Sequence, residues 1–276
     1  MDFRYVIKGA SAPEKVILFP LSDEREEEQL PEEIYQRVLE KTGAETQASA
    51  AETPESSAAH GASKRDAGAV PFAIVGIFVP DWDRYLSPRK FEGGRRQFSG
   101  DGDVLLTFIQ EKLLPELMER FQPASEPMAS APKTSAPEIS APEASGRASS
   151  PEFYLGGYSL SGLFCLWAAL KSGLFAGCAS CSGSVWYPGF TEQVLGAPND
   201  GAGAVNPMKI YLSLGTKEEK TRDPYMREVG NCTRRLYEHF SSDPAHFSTV
   251  LEWNPGNHFR DVPERIAKGF SWLLNA

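Results

Sequence analysis

Apolar and polar positions along the 276-residue chain fall into two alternating rhythms. Short, nearly continuous apolar runs occur at residues 15–20 (KVILFP), 71–79 (PFAIVGIFV), 153–158, 178–182, 209–214 (KIYLSL) and 248–253. Runs of this kind suit strands buried on both faces. Between them lie stretches with helical spacing at 31–41, 103–121, 160–172, 189–195, 224–240 and 262–274. In 103–121, for example, Val104, Phe108, Leu113, Leu114 and Leu117 lie close to a helical stripe. Strands alternating with helices of such length pair in parallel through right-handed crossovers. The expected fold class is therefore α/β: a doubly wound, mostly parallel sheet with helices on both faces, in a single domain over 1–276.

Two stretches break the rhythm. Residues 44–69 are rich in Ala, Glu, Ser and Thr and have no apolar periodicity. Residues 123–150 carry a short repeat, seen in Ser130-Ala131-Pro132, Ser135-Ala136-Pro137 and Ser140-Ala141-Pro142. Such composition buries too little apolar surface to offset its ordering entropy, and spaced prolines favour an extended, solvated chain. Both are expected to be flexible insertions, each between a helix and the next strand. Doubly wound sheets place their sites at the other end, outside the strand C-termini, so the insertions should spare the site.

Composition narrows the classes. The chain is 41% hydrophobic and 11% aromatic, enough for a substantial core. Its net charge of −9, with no basic cluster among aromatics, argues against a nucleic-acid partner. The first residues, Met1-Asp2-Phe3-Arg4-Tyr5, do not read as a signal peptide, and no apolar run is long enough to span a membrane. A cytoplasmic protein with no membrane partner is expected. Four cysteines suggest no disulfide framework, and Cys178 and Cys181 read as small apolar residues of a buried strand rather than as a redox or metal pair. Only four histidines are present, none spaced as metal ligands, which disfavours a metal hydrolase.

Candidate chemistry concentrates at 153–167, FYLGGYSLSGLFCLW. An apolar strand ends at Gly156-Gly157, Ser159 sits at the tip, and an apolar helix begins at once. This is the strand–turn–helix setting of a nucleophile elbow. Side chains two residues either side of the nucleophile would collide with neighbouring backbone, and Gly157 and Ser161 are small. Ser161 is the rival nucleophile, but Leu163 would then occupy a position that needs a small residue. The alternative is a glycine-rich strand end without chemistry.

A serine hydroxyl needs a base, and a base needs an orienting acid. His60 lies in the first low-complexity stretch, His239 in the last turn of a helix, and His246 before a strand at the wrong end of the sheet. His258, in Trp253-Asn254-Pro255-Gly256-Asn257-His258, follows the last strand and comes after the serine in chain order. Its alternative is a loop histidine in solvent. The acid should follow the penultimate strand, where the turn after Gly215 offers Glu218 and Glu219, with Asp223 further on. For the oxyanion, the backbone N–H of Leu160 follows from the elbow geometry. A second N–H should come from the loop after strand 15–20, with Ser22 preferred and Leu21 next. Aromatic pocket candidates near strand ends are Trp82 and Tyr85, and Trp186 and Tyr187; Trp82 and Trp186 are the preferred pair, each weighed against simple packing.

The segments GGYSLSGLF, SCSGSVWYPGF, YLSLGTKEEKTR and WNPGNHF resemble the esterase D and siderophore esterase-like family of α/β-hydrolases. That family also includes S-formylglutathione hydrolases and mycolyltransferases, and the resemblance covers most of the chain outside the two insertions. It implies the α/β-hydrolase fold and agrees with elimination on His258. The spacing of Gly215 and Glu218 is similar to the G-x-x-E that presents the acid in siderophore esterases, which favours Glu218. Two departures stand out: Ser161 where the family pattern has Gly, and Pro20-Leu21 where it usually has Asp-Gly. The resemblance implies a serine hydrolase of small-molecule carboxylic esters, working through a Ser-His-Glu triad and an acyl-enzyme without a cofactor. Two rivals remain: an acyltransferase with the same triad, and a catalytically silent hydrolase-fold binding protein. The sequence sets neither the ester nor an oligomeric state.

Overall fold

The computed structural model describes residues 2–22, 29–43, 70–93, 96–121, 150–197 and 206–275. The expected insertions at 44–69 and 123–150, apart from Ser150, together with His60, lie outside the described residues.

Strands β1 (Arg4–Gly9), β2 (Lys15–Ser22), β3 (Phe72–Val79), β6 (Glu152–Tyr158), β7 (Gly177–Cys181), β8 (Met208–Gly215) and β9 (Phe247–Asn254) form one seven-stranded sheet. Its order is β1-β3-β2-β6-β7-β8-β9. Every pairing is parallel except β1 with β3. Along β2 the side chains alternate between two cores. Val16 and Leu18 enter the larger one with Leu105, Phe164 and Leu236; Ile17, Phe19 and Leu21 enter the other with Ile34, Ile266 and Phe270. Helices thus cover both faces. The first core is capped by α3 (Gly102–Phe108), α4 (Leu114–Arg120), α5 (Leu160–Ser172), α6 (Phe190–Gly196) and α7 (Val229–Ser241); the second by α1 (Leu30–Thr42) and α8 (Val262–Asn275).

All eight residues of β3 are buried, as the continuous run FAIVGIFV requires of a strand with helices on both sides. α5 is buried from Leu160 through Ala169, so it is an interior helix and carries little amphipathic contrast. Where α8 crosses β6, a Cβ added to Gly156 would lie 2.1 Å from the Phe270 ring. The strand needs glycine there for the helix to pack so closely.

Several elements differ from expectation. β1 is an additional edge strand, antiparallel and only half-buried. A one-turn helix α2 (Trp82–Tyr85) and a hairpin, β4 (Phe91–Gly93) with β5 (Arg96–Phe98), fill the connection before α3. The expected helix 103–121 is α3 and α4 joined by a π turn at Ile109–Leu113. Pro115 supplies the reason: its ring would press on the Glu111 carbonyl in an unbroken α-helix. The wider turn, in which the Leu114 N–H bonds to the Ile109 carbonyl, relieves that contact. The helix expected from 224 begins as a 3-10 turn at Met226–Glu228 and becomes α-helical at Val229.

Candidate active site

β6 ends at Tyr158 and α5 begins at Leu160, so Ser159 alone makes the turn. It does so at φ 58°, ψ −121°, a region that costs a residue with a side chain about 1–3 kcal/mol. Three main-chain bonds hold it there. The Ser159 N–H donates to the Cys181 carbonyl at 3.1 Å, and its own carbonyl accepts from the N–H groups of Ser184 (2.9 Å) and Leu163 (3.1 Å). A Cβ on Gly157 would lie 2.2 Å from Ser161 Oγ and 2.7 Å from the Ser161 carbonyl carbon, so the turn leaves no room for a side chain. Ser161 is fully buried and its hydroxyl donates to the Pro20 carbonyl at 2.6 Å, away from solvent.

The structure brings Ser159, His258 and Glu218 together from three separate connections. Ser159 Oγ lies 3.0 Å from His258 Nε2, and His258 Nδ1 lies 2.7 Å from Glu218 Oε2. The Glu218 side chain is 4% exposed and that of His258 30%. The second Glu218 oxygen, Oε1, accepts from the Gly215 N–H (2.7 Å), Ser182 Oγ (2.8 Å) and Arg265 Nη1 (3.0 Å). Burial pushes the Glu218 carboxyl up, but the bond and charge of His258, with the bonds from Ser182 and Gly215, outweigh it and hold the group below the usual range. Glu218 is therefore a carboxylate at neutral pH. A carboxylate facing Nδ1 fixes the proton there and leaves Nε2 as an acceptor for the serine hydroxyl.

The histidine loop is held from behind. Tyr158 Oη donates to the His258 carbonyl at 2.6 Å, and burial raises this phenol to about 12, so it keeps its proton near neutral pH. Arg265 Nη2 donates to the carbonyls of Pro255 (3.0 Å) and Asn257 (2.9 Å). Phe259, next in the chain, is 84% exposed with its ring edge-on to His258. Sequence reasoning missed Tyr158, Ser182 and Arg265. For Arg265 a signal existed: it lies on the helical stripe that also carries Gly269 and Leu273, a charge on an apolar face.

The other candidates sit as follows. Glu219 pairs with Arg234 at 2.8 Å, and Asp223 accepts from the N–H groups of Tyr225 (2.9 Å) and Met226 (3.0 Å). His246 pairs with Asp243 at 2.8 Å, and the His239 ring packs edge-on against Phe240. Leu160 is the first residue of α5, and its N–H belongs to the first turn, whose donors have no partner within a helix. Ser22 closes β2 instead of standing in the loop beyond it. Trp82 opens α2 just past the end of β3, and Trp186 lies two residues beyond Ser184; both are half-buried against the larger core. A cavity of about 430 Å³, lined by Arg89, Trp167, Leu170, Phe190 and Val194 among others, includes none of these candidates.

Cys178 and Cys181 are free and buried, and burial raises both thiols, that of Cys178 to about 12. Among the described residues no group of three or more His, Cys, Asp or Glu is placed to hold a metal, and no helix is long and apolar enough to cross a membrane.

No protein-family model matches the chain, and no curated protein sequence matches it. Solved structures do. The chain is similar to the siderophore hydrolase EstA from Aspergillus nidulans, with 14% identity over 99% of this chain and 90% of that one, at a TM-score of 0.63. An IroE-like serine hydrolase from Shewanella oneidensis gives 14% identity, 99% and 75% coverage and a TM-score of 0.62. The siderophore hydrolase EstB from Aspergillus nidulans gives 15%, 98% and 89%, and 0.58. Likeness at such identities speaks for the fold: this chain has the α/β-hydrolase fold.

Proposed function

We propose that the chain is a serine carboxylic-ester hydrolase, with Ser159 as nucleophile at an elbow, His258 as general base and Glu218 as orienting acid. The observation that carries this reading is the unbroken hydrogen-bonded line from Ser159 Oγ through His258 to Glu218, at the C-terminal edge of the sheet. The strained backbone of Ser159 supports it, since such strain concentrates at working residues. The names of the similar structures, siderophore hydrolases and a serine hydrolase, are in keeping with an ester substrate.

Ser159 Oγ attacks the acyl carbonyl while His258 Nε2 takes its proton. The tetrahedral oxyanion receives the N–H of Leu160 and, from the end of β2, the N–H of Ser22. Collapse expels the alcohol, which takes the proton back from Nε2, and leaves an ester on Ser159. Water then attacks this acyl-enzyme with Nε2 again as base. Glu218 stays ionised throughout and stabilises the imidazolium. Trp82 and Trp186 contribute walls to the substrate pocket, and no cofactor takes part.

The test is labelling by a fluorophosphonate, followed by a series of p-nitrophenyl esters of increasing acyl length. Wild-type protein should label and hydrolyse at least one ester, and Ser159→Ala should do neither. Equal labelling of Ser159→Ala, or no hydrolysis by wild type at any chain length, overturns the reading.

A further inference from the structure

Arg265 is the largest fully buried side chain among the described residues, with 1% exposure. A guanidinium in such a place is costly unless paired, and its Nε has no hydrogen-bond partner, which adds to the cost. Its two terminal nitrogens are fully engaged. Nη1 lies 3.0 Å from Glu218 Oε1, 3.1 Å from Tyr158 Oη and 3.2 Å from Ser182 Oγ. Nη2 reaches the carbonyls of Pro255 and Asn257, three and one residues before His258. One rigid fork thus touches the acid, the strand end before Ser159 and the loop that presents the histidine.

We propose that Arg265 is a positioning residue for the His258–Glu218 pair, holding the acid with one arm and the histidine loop with the other. This rests on the reading of Ser159, His258 and Glu218 as the working residues. A guanidinium offers donors in a fixed plane and can bridge two groups, whereas an ammonium is a single point charge. The charged and titratable groups facing Glu218 are His258 at Oε2 and Arg265 at Oε1, with Tyr158 behind Arg265. A cation beside a buried carboxylate favours its ionised form. Removing the cation leaves burial to act with less opposition, so Glu218 should take up a proton at higher pH. Replacing it by lysine keeps the charge and gives up the grip on Pro255 and Asn257.

Wild type, Arg265→Lys and Arg265→Met are compared, with thermal unfolding checked first. Two readouts follow: kcat and KM on a p-nitrophenyl ester, and a carbon-13 titration of the Glu218 carboxyl assigned with Glu218→Gln. Arg265→Lys should leave the Glu218 titration near that of wild type and change KM little, while kcat falls about tenfold or more, since loosening a reacting pair by a fraction of an ångström is enough. Arg265→Met should move the Glu218 titration to higher pH, since the cation 3.0 Å from Oε1 is gone. Wild-type kcat in Arg265→Lys, or an unmoved Glu218 titration in Arg265→Met, overturns the proposal. If Arg265→Met does not fold, the kcat of Arg265→Lys decides alone. The two readings fail separately: a wild type that hydrolyses no ester removes the esterase, and the carboxyl titration still judges Arg265.

Discussion

Ser161 Oγ donates a 2.6 Å hydrogen bond to the Pro20 carbonyl, tying the first turn of α5 to the last residues of β2. β2 runs beside β6 with Lys15 opposite Glu152 and Leu18 opposite Leu155, and beyond that pairing the strand continues through Pro20 to Ser22. The second hydroxyl of the SLSG stretch therefore braces the strand end that supplies the proposed second oxyanion donor. The serine at this second small position of the elbow thus makes a structural bond of its own.

Ser159→Ala should lower kcat by up to about 10⁶-fold if the three residues act as a unit. Ser161→Ala should keep the nucleophile and lose about 1 kcal/mol of stability with the bond to Pro20. Initial rates on a p-nitrophenyl ester and melting curves of both variants are the check. The reverse order of rates would make Ser161 the nucleophile.

Glu218→Gln should cost about 10³–10⁴ in kcat, the scale seen when a triad acid is neutralised. Glu219→Gln should leave kcat within a factor of about two, because an exposed pair such as Glu219 with Arg234 is worth roughly 0–1 kcal/mol. Matched, small losses in the two variants would take both glutamates out of the mechanism.

Gly157→Ala should abolish both labelling and turnover. Its Cβ would meet Ser161 Oγ at 2.2 Å and the Ser161 backbone at 2.7 Å, so the turn must open and carry Ser159 away from His258. Circular dichroism separates a folded, silent variant from an unfolded one. A folded variant that still labels at the wild-type rate would show that the turn tolerates a side chain.

Acid should destabilise the fold partly through Glu218. A carboxyl held below its ordinary value contributes stability that is complete above its unfolded pKa, about 4.3, and is lost as pH falls through the lower folded value. The melting temperature should stay level from neutral pH to about 5 and decline below that. Glu218→Gln should show a shallower decline, and superimposable slopes for the two proteins would remove Glu218 from the linkage.

How far the sequence speaks differs from element to element. The helix at 160–172 is legible to the residue, because a glycine pair precedes it and Gly173 follows its last turn. β1 is not legible: its six residues, RYVIKG, carry two cations and pack on an edge, where half-burial leaves no clean alternation. The hairpin of β4 and β5 has three residues a side, too few for any period to register. Adjacent Glu218 and Glu219 differ by one step in a turn; the resembled G-x-x-E spacing favours Glu218, and the fold has it face His258 while Glu219 faces Arg234. Arg265 was visible as a charge on an apolar stripe, but its partners come from segments far away in sequence.

Among the described residues, β1, β3 and β2 pair with one another, and β6 to β9 pair in chain order. Within the sheet a seam of one strand pair joins the two groups, with Lys15 against Glu152 and Leu18 against Leu155, and on one face α1 packs against α8 across the same boundary, with Lys41 paired to Glu264. Segments near in sequence find each other quickly and distant ones slowly, so each group should form by itself and the seam should close last. Ser159, Glu218, His258 and Arg265 belong to the later group, and Ser22 to the earlier one. On the proposed reading, a molecule whose seam has not closed would own its nucleophile and lack one of the two donors for the charge that its attack creates. Reactivity and turnover would thus mature at different moments in the life of each chain.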